Sequence, residues 1–151
     1  MGLDMYLTAK KTMPRAAAIV LHKAAPDEFT TWDNPWLKTG SQEVEAVAEA
    51  VYWRKANAVH GWFVRKVQGG TDDCGTYPVT AQQLEELRDA CKADIAGEDG
   101  EEHDLIPMSG FFFGPTDNET WYTDCLEHTA EQLDRVLKDY DGWAFQYHSS
   151  W

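Results

Sequence analysis

The stretch Tyr52–Phe63, YWRKANAVHGWF, holds the residue types best suited to chemistry. Trp53, Asn57 and His60 recur at steps of four and three, the spacing that lines side chains along one stripe of a helix. Tyr52, Ala56, Val59, Phe63 and Val67 would form the buried stripe beside it. Arg54, Lys55, Arg65 and Lys66 put four of the thirteen basic residues within thirteen positions. A planar guanidinium, an ammonium, an imidazole, an amide and indole rings suit an anionic group carried on a flat ring. The expected ligand-binding set is therefore Trp53, Arg54, Lys55, Asn57 and His60, joined by Ser149 of the tail HSSW. The same residues also fit a structural role, with the indole packed on a neighbour and the cations facing water or acidic side chains.

Catalysis is an open alternative. His60 titrates near neutrality and could serve as a general base, with Asp72, Asp73 or Cys74 supplied by the turn TDDCGTY. That arrangement would suit a hydrolase or transferase, but it matches no spacing-specific motif and assigns no catalytic residue. His60, Asp72, Asp73, Cys74 and His103 form no HExxH, CxxC or EF-hand pattern, so neither metal nor cofactor is expected.

The elements that must position these residues follow from periodicity. Leu3, Met5 and Leu7 alternate with polar neighbours, predicting a strand at the amino end; Trp143, Phe145 and Tyr147 predict another at the carboxyl end. The apolar run 16–22 has strand length, and residues 24–37 read as a loop in which Trp32 and Trp36 are anchors to the body or, alternatively, lid residues over a pocket. Residues 41–51 fit a helix or a strand. A helix is predicted over 51–68, stopped by Gly69 and Gly70. Thr80 and Gln83 make a capping-box signature for a helix burying Leu84, Leu87, Cys91 and Ile95. GEDGEEHD, residues 97–104, reads as a mobile acidic loop, and SGFFFG, residues 109–114, as a short buried strand. A third helix, over 118–138, turns Tyr122, Leu126, Thr129, Leu133, Val136 and Leu137 inward, and Trp151 is expected to be docked. Strands at both ends with about three helices between them predict one α+β domain over 1–151, with a mixed or antiparallel sheet.

Composition narrows the function classes. With 43% hydrophobic and 13% aromatic residues, a disordered chain is excluded, and no apolar run reaches the ~20 residues a bilayer span requires. Asp4 within the first apolar stretch argues against a secretory signal, and three widely spaced cysteines suit a reducing, cytoplasmic setting. The net charge of −13 is uneven: residues 1–81 hold nine acidic and nine basic side chains, whereas 82–151 hold seventeen and four. That field disfavours direct nucleic-acid binding and favours basic partners.

The segments MGLDMYL, YWRKAN with His60, Trp62 and Phe63, DDCG, SGFFFG and the final SSW resemble a family of small uncharacterised proteins of bacteriophages, prophages and bacteria. The resemblance runs through most of the chain in order and is weakest over 13–41 and 97–103. It implies a phage-associated protein in the host cytoplasm, acting as a counter-defence sponge for a nucleotide-like signal. The alternative is an acidic inhibitor that mimics nucleic acid or, in the manner of an anti-CRISPR, engages a basic host protein.

Overall fold

The structure is a computed structural model and describes residues 2–29 and 43–151; Trp32 and Trp36 lie outside them. Strands β1 (Asp4–Pro14), β2 (Glu43–Arg54), β3 (Thr76–Val79) and β4 (Ala144–Ser150) form an antiparallel sheet in the order β2-β1-β4-β3. The two end segments of the sequence thus lie side by side at its centre. Helices α1 (Arg15–Ala24), α2 (Asn57–Lys66), α3 (Ala81–Ile95) and α4 (Glu119–Asp139) complete an α+β fold with four α-helices among the described residues. No helix is long and apolar enough to cross a membrane.

The core lies between one sheet face and the helices. Leu3, Met5 and Leu7 from β1 meet Val59 and Phe63 of α2, Leu84 and Leu87 of α3, and Leu126 and Leu133 of α4, all essentially without exposure. Truncating one such leucine to alanine costs about 2–5 kcal/mol. The capping box forms as expected: Gln83 N–H donates to Thr80 Oγ1 at 3.1 Å and Thr80 N–H to Gln83 Oε1 at 3.0 Å.

A β-bulge shapes β2. Leu7 faces Val51 but Thr8 faces Glu49, so Ala50 is the extra residue, and both Ala50 and Val51 are buried. An edge strand with bare carbonyls invites unwanted pairing. Here α4 covers it, with Trp121 Nε1 donating to Lys55 O at 3.2 Å, His128 Nε2 to Tyr52 O at 3.4 Å and Arg135 Nη2 to Ala50 O at 2.5 Å.

Three expectations are corrected. The run 16–22 belongs to helix α1, since consecutive alanines lose little entropy in a helix. Residues 51–54 end strand β2 and the helix starts only at Asn57, because Trp53 pairs in register with Met5 and Lys55 takes a left-handed φ of 55° that breaks the chain direction. SGFFFG is a turn and not a strand: Phe113 N–H donates to Gly110 O at 3.1 Å, Gly114 has φ 86°, and only Phe113 of the three rings is buried. The acidic segment is partly ordered as a 3-10 turn, Gly100–His103, with Gly100 packed under the Tyr122 hydroxyl.

Candidate functional site

His60 sits on α2, fully buried, with both ring nitrogens engaged. Nε2 lies 3.1 Å from Asp72 Oδ2 and Nδ1 lies 2.7 Å from the Tyr147 hydroxyl. A carboxylate only accepts, so Nε2 carries the proton, and Tyr147 donates to Nδ1. Asp72 also accepts from Trp151 Nε1 at 3.1 Å, and Trp151 meets Phe113 edge-on at 5.8 Å. The result is a chain of polar contacts, Tyr147–His60–Asp72–Trp151, joining core, turn and tail. Trp151 is docked as expected, although 47% of its surface stays exposed.

Burial pulls the His60 imidazole below its ordinary value, against the opposing pull of Asp72, so the ring is held neutral. Burial, with Asp72 and Cys74 nearby, pushes the Tyr147 hydroxyl well above 10. Its ring stacks on Phe63 with centroids 3.8 Å apart. With both nitrogens engaged and no surface exposed, His60 offers no atom to a substrate. The geometry is that of a positioning network holding the 71–74 turn and the β4 end.

The other expected ligand residues separate. Trp53 points into the core from β2 and donates from Nε1 to Thr129 Oγ1 of α4 at 3.0 Å. Asn57, also buried, clamps the 109–115 segment through Nδ2 to Phe113 O at 3.1 Å and Pro115 O at 2.9 Å. Ser149 is buried on β4 with its Oγ unpartnered. Trp53, Asn57 and His60 therefore share no exposed stripe, because a strand end and a left-handed residue intervene where a continuous helix was expected.

Arg54 and Lys55 do come together. A Cβ placed on Gly2 would lie 3.3 Å from Lys55 Cε and 3.7 Å from Arg54 Nη2, so both cations flank one small residue. Lys55 also runs over Gly114, whose added Cβ would lie 3.0 Å from Lys55 Cβ. Among the described residues neither cation has a carboxylate within 4.0 Å; Asp4, opposite Arg54 in the sheet, accepts the Tyr52 hydroxyl instead. One aromatic ring touches this corner, and two more follow in the segment bonded to Leu3. Trp121 is bonded to Lys55 O, Phe112 O accepts from Leu3 N at 3.0 Å, and the adjoining Phe111 is 95% exposed. Sequence reading found the two cations but missed Trp121, which lies far along the chain and reaches Lys55 only through the tertiary fold.

Among the described residues no group of three or more His, Cys, Asp or Glu side chains is arranged to hold a metal ion. All three cysteines are unbonded; burial pushes the Cys91 thiol up to about 12 and the Cys125 thiol up to about 11. No protein-family model matches the sequence, and no curated protein or solved structure is significantly similar to the chain.

Proposed function

We propose that the Arg54–Lys55 corner binds an anionic, nucleotide-like small molecule, its charged group against the two cations and its ring against Trp121. The observation that carries this reading is the pairing of two cations around Gly2 without a carboxylate partner among the described residues, in a chain of net charge −13. Like charges held side by side repel, and an incoming phosphate or carboxylate relieves that repulsion while accepting charge-assisted hydrogen bonds. The left-handed backbone at Lys55 adds support. A residue with a Cβ loses roughly 1 kcal/mol there relative to glycine, so a lysine at that place calls for a reason beyond the turn itself. In the phage setting that the sequence resemblance implies, such a protein would sequester a nucleotide signal of the host.

Titration calorimetry against mononucleotides and cyclic dinucleotides tests the reading. Binding should weaken about tenfold in Arg54→Ala and in Lys55→Gly, the latter chosen because glycine keeps the positive φ. Absence of heat with any of these ligands up to millimolar concentration rejects it.

A further inference from the structure

A cleft of about 430 Å³ lies between α3 and the 3-10 turn, remote in sequence from the Arg54–Lys55 corner. Ala90 and Ala93 line one wall, and their small side chains leave the space open. Trp62 of α2 also lines it, although only 2% of that residue is exposed. Its indole N–H makes no hydrogen bond among the described residues.

The charges around the cleft are unequal. Lys66 is neutralised by Asp104 at 2.6 Å, Asp89 by Arg88 at 2.8 Å, and His103 lies 3.3 Å from Glu98. Glu86 receives only the neutral Gln82 amide at 3.3 Å, and Glu102 has no ion-pair partner among the described residues. Two carboxylates without cations thus stand over an alanine-lined wall and an unpaired N–H donor. The donor calls for an acceptor such as a peptide carbonyl, the carboxylates call for cations, and the alanines suit the methylene stems of long basic side chains.

We propose that this cleft receives a basic peptide segment of a partner protein. A backbone carbonyl of the segment accepts from Trp62 Nε1, and its arginine or lysine heads pair with Glu86 and Glu102. Charge complementarity selects this occupant: a carboxylate or phosphate ligand would meet the uncompensated charge of both glutamates, and a purely apolar one would leave the N–H and the carboxylates unpaired.

The probe is a fluorescently labelled, end-blocked tetra-arginine peptide, with tetra-glutamate as the negative control, followed by anisotropy. Glu86→Gln with Glu102→Gln should weaken tetra-arginine binding about tenfold. Glu127→Gln with Glu131→Gln, the same charge change on the exposed face of α4, should weaken it less than about twofold. Addition of the peptide should shift the Trp62 indole N–H signal in a proton–nitrogen correlation spectrum, and Arg54→Ala should change nothing. Equal losses from the two glutamine pairs would mean a diffuse acidic field and overturn the proposal. A Trp62 signal that stays in place at saturation overturns it too, as does failure of the wild type to bind.

Discussion

Tyr147→Phe tests the buried polar chain most directly, because it deletes one hydroxyl and leaves the ring stacked on Phe63. The lost group makes a single hydrogen bond of 2.7 Å, to His60 Nδ1, inside a region without solvent. Deleting it removes a net ~1 kcal/mol and leaves a buried acceptor without a donor, at a further ~1–2 kcal/mol, so about 2–3 kcal/mol in all. For a chain of this size each kcal/mol lowers the melting temperature by about 2–4 °C, which gives a drop of about 4–12 °C. Urea unfolding followed by far-UV circular dichroism measures the difference. Tyr77→Phe is the control: that hydroxyl bonds Asp73 at 2.9 Å on the surface, and its loss should leave the midpoint close to wild type. A loss below ~0.5 kcal/mol in Tyr147→Phe would refute the view that the Tyr147–His60 contact stabilises the fold.

The pH profile gives further checks. The folded His60 pKa lies below its unfolded 6.5, so the unfolded chain binds the extra proton, and stability should fall as pH drops below 6.5; this slope should flatten in His60→Gln. Tyr147 has a folded pKa raised well above 10, so its contribution is full below 10 and is lost as pH rises beyond it; Tyr147→Phe should make alkaline unfolding less steep. Asn57→Ala, which releases Phe113 O and Pro115 O, should cost about 1–3 kcal/mol and speed hydrogen exchange across 109–115. A thiol reagent near neutral pH should modify partly exposed Cys74 first, while Cys91, raised to about 12 by burial, should react only on unfolding; simultaneous labelling of both in the native protein would contradict this packing.

Elements whose pattern is local were legible in the sequence. Leu3, Met5 and Leu7 announce β1, Phe145 and Tyr147 announce β4, Thr80 and Gln83 cap α3, and α4 lies within a residue or so of its expected limits. The helical spacing places Ile95 in the core of α3, but the residue is exposed at the end of the helix. That the sequence leaves 41–51 open between helix and strand, and reads 51–54 as helix where β2 continues to Arg54, has a physical reason. Glu43, Glu45 and Glu49 alternate with buried Val44, Ala46, Ala48 and Ala50, but alanine and glutamate also favour helices, and the bulge at Ala50 shifts the inward set to Val51 and Trp53.

The run Tyr52–Phe63 shows the division most clearly. The sequence by itself determined its composition: cations beside indoles, in a chain whose negative excess lies elsewhere. Only tertiary pairing decided which of them face solvent. Pairing of Trp53 with Met5 drew the indole into the core, Lys55 reversed the chain at positive φ, and α2 carried His60 to Tyr147 and Asp72. Arg54 and Lys55 stayed outside, because burying an unpaired charge costs far more than any packing it could gain. Periodicity reports which side chains lie on one local face, whereas the neighbours of that face are set by contacts tens of residues away.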